Sequence, residues 1–332
     1  FGDRVIRVYL PYDYPFAVKK FIGFFRPRLG ILMETEIWFN LIHFCRASDT
    51  PLVMLNARMS AKSARGYSKF SKLSRSSLGD ICAIAAQSDM DATRLVNLGA
   101  KNVTVVGNLK FDIVPPNSQI VLGQMLRRKF GYSRKIFLAA STREGEEVLL
   151  LDAFLKLDMP EILMVIVPRH PQRFSEVAKL IEARKITYLN RSELVICEAD
   201  GSLEQQVSQN VRLVLGDTMG EMFAYYAAAD LAYIGGSLLP YGGQNLIESC
   251  AVGTPVLIGP HTYNFADATT KSVVAGAAIQ VKDIAELVET LVELFDKPET
   301  LSAMKTSCWS FVAGNRGATT RSVDLIKSAL LA

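Results

Sequence analysis

Short apolar runs recur along the chain at residues 5–10, 29–33, 51–55, 81–86, 103–106, 135–140, 162–167, 212–215, 231–234 and 255–259, with a weaker one at 278–281. They are unbroken, without the alternation of a half-exposed strand, so they read as strands buried on both faces. Most of the intervals are too long for hairpins and read as helices, as at 62–75, a serine- and lysine-rich surface stretch, and at 284–295 and 318–331. Strands alternating with helices predict an α/β chain built on parallel sheets.

Pro115, Pro116, Asn117 and Ser118 interrupt this rhythm and mark a linker. The predicted division is a first α/β domain over 1–116, a second over 117–312, and a terminal helix within 313–332 that packs back on the first. A length of 332 residues suits two domains, and 49% hydrophobic with 21% charged residues supplies material for packed cores. The net charge of +4 favours acidic ligands or an anionic membrane surface only weakly and is no nucleic-acid signature. The five cysteines, Cys45, Cys82, Cys197, Cys250 and Cys308, are widely spaced and read as buried reduced thiols of a cytoplasmic protein. No pair has metal-ligand spacing, and His43, His170 and His261 do not cluster with them, so no metal site is expected. No run of about twenty apolar residues is present to span a bilayer. Residues 16–25, FAVKKFIGFF, form an amphipathic, basic and aromatic helix, either packed on its own domain or lying on a membrane surface.

Candidate chemistry gathers beyond the C-terminal ends of the predicted strands, where parallel sheets bind ligands. The stretch from Gly235 to Gly259 reads as turn, helix and strand. Gly235, Gly236, Gly242 and Gly243 allow close backbone approach, and a helix starting near Gln244 or Asn245 points free N–H groups at an anion. Glu248 follows about one turn later, placed to accept from sugar hydroxyls. Phosphate and polyol together suggest a nucleotide, although glycine-rich turns also occur in α/β proteins that bind none, and GxGxxG spacing is absent. Ser141 and Glu144 have capping-box spacing, and Glu146 and Glu147 fit as first-turn dipole residues. The loop from Pro168 to Phe174, stiffened by Pro168 and Pro171, presents Arg169, His170 and Arg173 to the same edge, with no carboxylate to make His170 a general base. The turn Gly216, Asp217, Thr218, Met219, Gly220, Glu221 and Met222 faces that edge too. In the first half, Glu34 and Glu36 follow one strand, Arg58 another and Lys110 a third. Each is either an ordinary solvated or first-turn charge or a ligand contact.

The motifs ETEIW at 34–38, NAR at 56–58, GNLKFD at 107–112, PRHP at 168–171, GDTMGE at 216–221, and GGS at 235–237 with GQN at 243–245 and Glu248 occur in order. Together they resemble the bacterial transferases of 3-deoxy-D-manno-oct-2-ulosonic acid (Kdo), over nearly the whole chain. The resemblance implies a GT-B glycosyltransferase fold: two Rossmann-like domains facing a cleft, with the donor CMP-Kdo held mainly by the second. On that model Arg169 and the backbone of Gly235, Gly236 and Ser237 meet the phosphate. The loop from Gly216 to Met222, including Asp217, Met219, Gly220 and Glu221, meets cytidine. Asn245 and Glu248 serve the ribose or other polar groups, with Ser141, His170, Pro171 and Gln244 also on the donor side. Glu36, Lys110 and Arg58 stand near the Kdo carboxylate and reacting centre. The implied reaction is inverting, with attack by a hydroxyl of a lipid A precursor, no cofactor and no metal, at the cytoplasmic face of the inner membrane. Family members begin with a hydrophobic anchor and an early glycine-rich motif carrying a glutamate base. Neither occurs in this sequence, which starts at Phe1. The expectation is therefore an incomplete first domain, a soluble or peripheral chain, and donor binding with impaired transfer. The alternatives are a GT-B enzyme using a UDP-sugar and a non-catalytic nucleotide-sugar-binding module.

Overall fold

The structure, a computed structural model, describes residues 4–157, 159–195 and 206–331. Two compact units divide it: Phe1–Asp112 with Asn315–Ala332, and Ile113–Gly314. The units thus divide after Asp112 and after Gly314, where the sequence placed its boundaries after 116 and 312.

The first unit holds a parallel sheet in the order β1 (Gly30–Met33), β2 (Leu52–Ala57), β3 (Ala83–Ala86), β4 (Val103–Val105). Every residue of β2 is buried, which is why that run is apolar without alternation. Met54 and Ile84 pack on one face with Ile42, Leu78 and Leu95 from the crossover helices. Val53, Leu55 and Ala85 pack on the other with Leu325, Ile326 and Ala329 of the last helix, Ala318–Leu331. That helix is tied down at its start, where Asp112 accepts from the Gly317 and Thr319 amides, and Arg321 Nε donates to Val106 O at 2.8 Å.

Three local expectations are corrected. Residues 5–10 form no strand, and Ile6 and Tyr9 stand 83% and 99% exposed, because β1 bonds only to β2 among the described residues. The helix expected over 62–75 is two helices, Ala61–Ser68 and Ser71–Gly79. Cys82 is exposed, whereas Cys45, Cys250 and Cys308 are buried, and Cys197 lies outside the described residues. Residues 16–25 are helical: Pro15–Phe25 opens on proline, buries Val18 and Ile22, and leaves Phe16 and Phe24 exposed.

The second unit has seven parallel strands: β5 (Lys135–Thr142), β6 (Ile162–Pro168), β7 (Tyr188–Asn190), β8 (Leu213–Leu215), β9 (Leu231–Ile234), β10 (Val256–Ile258) and β11 (Ala278–Gln280). Their order is β11-β10-β9-β5-β6-β8-β7. Short β7 at the edge was not apparent from the hydrophobic pattern, since YLN is no apolar run. Phe137, Met164, Ile166, Leu215 and Tyr233 form the core with Leu150, Phe154, Val177, Ile181, Leu287 and Leu291. Gly123 lets the helix Asn117–Phe130 cross closely over Met222–Ala228, since a Cβ there would lie 2.6 Å from Ala227 Cβ. The chain leaves β5 toward β6 on one side and returns to β9 on the other. This reversal of strand order opens a crevice at the C-terminal strand ends.

Candidate functional site

At its C-terminal end β5 bulges: Ala140 pairs with Val167 and Thr142 with Pro168, while Ser141 between them adopts φ 55°. Strand β9 passes so near that a Cβ on Gly235 would lie 2.3 Å from Ser141 O. Only glycine fits.

Beyond β9 the glycine turn closes around an internal carboxylate. Glu146, fully buried, accepts from Gly236 N at 2.6 Å and Arg143 N at 2.9 Å on Oε2. Its Oε1 accepts from the Tyr233 hydroxyl at 2.6 Å and Leu238 N at 3.1 Å. Gly235 N donates to Ala140 O, Gly243 N to Gly236 O and Gln244 N to Gly235 O. Buried Ser237 donates its hydroxyl to Ile234 O and accepts from Gly259 N at 2.8 Å. The backbone of Gly235 to Ser237, expected near a phosphate, has its Gly235 and Gly236 amides bonded within the protein, the second to a side chain. Glu146 is a buried loop anchor, beyond a dipole residue, and the helix Glu146–Leu155 starts after Gly145 without a Ser141 cap. The helix after the turn is also shorter and later than expected. It spans Ile247–Ala251, leaving Gln244 and Asn245 in the loop, where Asn245 Oδ1 accepts from Ile247 N at 3.1 Å.

A cavity of about 300 Å³ opens at the ends of the four neighbouring strands β9, β5, β6 and β8. It gathers Ser141, Arg169, Met219, Gly220, Glu221, Gln244, Asn245 and Glu248 from the residues singled out in the sequence. Arg169 is exposed, its amide donating to Thr142 O, and its guanidinium has no ion-pair partner among the described residues. Asn245 Nδ2 donates to Glu248 Oε1 at 2.9 Å. Glu221 pairs with Arg191 at 3.1 Å and accepts from the Thr218 hydroxyl. Thr218, from the GDTMGE motif, and Tyr225, which no motif in the sequence marked, line the same space with hydroxyls 2.9 Å apart. Burial pushes both the Tyr225 and Tyr226 hydroxyls above the usual tyrosine range, which keeps both neutral. The arrangement offers a cation for an anion, an amide–carboxylate pair for hydroxyls, and Met219, Met222 and Tyr225 for the face of a ring.

Other candidates lie outside this cavity's lining. Asp217 accepts from Ser192 N and its hydroxyl at 2.8 and 2.6 Å, fastening the β8 loop to the turn Arg191–Glu193. Gly216 sits under that loop, where a Cβ would meet Val167 at 2.7 Å. His170 is exposed beside Arg143, 3.3 Å away, and Pro171 opens the turn Pro171–Arg173. Arg173, expected to face an anion, is taken by the fully buried Glu147 at 3.2 Å with Glu144 and Glu176 nearby. Burial raises the Glu147 carboxyl above the usual range, against the charge of Arg173 and the Thr142 hydroxyl bond.

In the first unit, Glu36, Arg58 and Lys110 all follow strand ends. Glu36 is exposed and accepts from Trp38 Nε1 at 2.6 Å, and burial, with the charge of Glu36, raises Tyr67. Buried Asn56, at φ 51°, accepts from Leu109 N at 3.1 Å and so binds the end of β2, next to Arg58, to the turn Leu109–Asp112 that carries Lys110. Among the described residues no three His, Cys, Asp or Glu side chains group to hold a metal, and no helix is long and apolar enough to cross a membrane.

Residues 1–113 match the family model described as 3-deoxy-D-manno-octulosonic-acid transferase (kdotransferase). The 3-deoxy-D-manno-octulosonic acid transferase of Bordetella pertussis is 39% identical across 98% of this chain and 74% of its own length. That of Haemophilus influenzae is 35% identical across 99% and 76%. Among solved structures, the C-terminal CMP-Kdo binding domain of WaaA from Acinetobacter baumannii aligns with TM-score 0.52 and 25% identity, covering 59% of this chain and 98% of that domain. Anabaena HepE in complex with UDP aligns over 94% of this chain and 81% of its own, with TM-score 0.59 and 14% identity, a likeness of fold alone. The fold is GT-B, with two Rossmann-like units.

Proposed function

The chain belongs to the 3-deoxy-D-manno-octulosonic acid transferase family, and we propose that its second unit binds CMP-Kdo in the cavity between Ser141, Arg169, the β8 loop and Glu248. The convergence of these residues at the reversal of strand order carries this reading, with the similarity to a CMP-Kdo binding domain in support. Arg169 meets the donor phosphate, Asn245 and Glu248 accept and donate to ribose hydroxyls, and Met219, Met222 and Tyr225 flank the cytosine. In the first unit, Glu36, Arg58 and Lys110 are the candidates for the Kdo carboxylate and the reacting centre.

In the transfer, a hydroxyl of a lipid A precursor attacks the anomeric carbon of Kdo, its proton passing to a carboxylate or water, as the bond to the CMP phosphate oxygen breaks, with inversion. Negative charge grows on the departing phosphate, and Arg169 stabilises it more in the transition state than in the bound donor. The acceptor sits in a membrane, and the helix Pro15–Phe25 has the surface to meet one: Phe16 and Phe24 are 77% and 79% exposed, beside the exposed Lys19 and Lys20. Aromatic wedges flanked by cations suit the interface of an anionic leaflet.

Calorimetric titration of the chain with CMP and with UDP tests the donor assignment. CMP is expected to bind more tightly, and a preference for UDP refutes it. Incubation with CMP-Kdo and a lipid A precursor, followed by mass spectrometry of the lipid, tests the transfer.

A further inference from the structure

We propose that Glu146 and Glu147 are positioning residues of the donor cavity: adjacent buried carboxylates on one helix start that hold the loops after β5, β6 and β9 in place. The inference rests on the donor assignment above only for its consequence in binding. Its basis is geometric. Consecutive helical residues point about 100° apart, so two neighbouring side chains can reach the strands on either side of β5. Glu146 reaches the β9 turn through Tyr233, Gly236 and Leu238, and Glu147 reaches the β6 loop through Arg173. Both also grip the β5 loop itself, through Arg143 N and the Thr142 hydroxyl.

A carboxylate that served only the helix dipole would stand in water. Both of these have no exposed surface, and burying such groups is costly unless every lone pair is engaged. Each held loop leads directly to cavity lining. Gly235 O and Gly236 O accept from Gln244 N and Gly243 N, carrying the position fixed by Glu146 to Gln244. Arg169 N donates to Thr142 O, the residue bonded to Glu147, and Arg173 closes the same loop four residues on. Ser141 lies between them.

Glutamine is the informative replacement at Glu146. Each oxygen there accepts from two donors, so an amide turned either way sets an NH2 group against two of them. The test compares wild type with Glu146→Gln, Glu147→Gln and the milder Tyr233→Phe, which removes one donor while leaving the carboxylate. Hydrogen exchange of the Gly236 and Leu238 amides reads the first arm and that of the Arg169 amide the second, without any ligand. CMP titration well below the melting temperature then reads the cavity of the folded protein, which a purely stabilising role would leave unchanged. Glu146→Gln is expected to speed exchange at Gly236 and Leu238 locally and weaken CMP by about tenfold or more. Tyr233→Phe changes both in the same direction by less, and Glu147→Gln acts at Arg169. Unchanged local exchange overturns the proposal, as does nucleotide affinity within about twofold of wild type despite faster exchange. If the wild type binds UDP in preference to CMP, the donor assignment fails while the same comparison, made with UDP, still decides the clamp. If it binds neither, exchange alone decides it.

Discussion

Replacing Gly235 with alanine isolates the contact between β5 and β9 that shapes one wall of the cavity. The added Cβ would lie 2.3 Å from Ser141 O, 2.6 Å from Ser141 C and 2.6 Å from Thr142 Cα, all backbone atoms. Ordinary carbon contacts begin at about 3.5 Å, so the strands must part by roughly 1 Å. No side chain can rotate away to relieve this, and the hydrogen bond from Gly235 N to Ala140 O, 2.8 Å long, resists the separation. Overpacking of this kind costs about 1–3 kcal/mol, and the backbone character of the clash points to the upper end. For a unit of this size about 3 kcal/mol corresponds to a fall in melting temperature of roughly 6–12 °C. Gly220→Ala is the control, since Gly220 has φ 80° with nothing within 4 Å of the added Cβ. It carries left-handed strain alone, about 1 kcal/mol. Differential scanning calorimetry of the two variants decides the matter. A loss at Gly235 no larger than at Gly220 would show that the strands do not approach as described and refute the reasoning.

Arg169→Ala is expected to weaken CMP by about tenfold or more, the worth of a charge-assisted hydrogen bond, with the melting temperature of the free protein unchanged. Titration reads the first and calorimetry the second, and equal CMP affinity would exclude Arg169 from the phosphate. Asp112→Ala removes the acceptor at the start of the last helix and should cost about 0.5–2 kcal/mol. Burial pushes the Asp112 carboxyl up, but the bonds from Thr319 and Gly317 and the charge of Arg321 outweigh it, leaving it below its ordinary 3.8. A depressed carboxyl contributes fully above that value and loses its contribution as pH falls through the folded one. The gap between wild type and variant, followed by thermal melts, should thus be constant near neutrality and narrow only below about pH 4; a gap independent of pH would contradict the cap. Changing Lys19, Lys20, Phe24 and Phe25 together to serine should abolish sedimentation with anionic liposomes, and unaltered sedimentation would remove that helix from the membrane surface.

The hydrophobic pattern by itself determined two parallel-sheet units and nearly every central strand, because strands buried on both faces must be continuous apolar runs. Motif order along the chain identified the family and brought forward Arg169, Met219 and Glu248, and a strand end brought forward Ser141, all of which the fold places around one cavity. It could not tell what the polar residues between the strands were bonded to. Glu146 looks like any first-turn acid in the sequence, and Gly236 like any amide donor awaiting a phosphate. Only the tertiary structure joins them, across β5, and makes the carboxylate part of the site's frame. Segment 5–10 has the apolar content of a strand but, among the described residues, no strand beside it to bond, and β7 has little apolar content but pairs with β8. Pattern decides what can be buried. Partners, set by residues far away in sequence, decide which backbone and side-chain groups are left for a ligand.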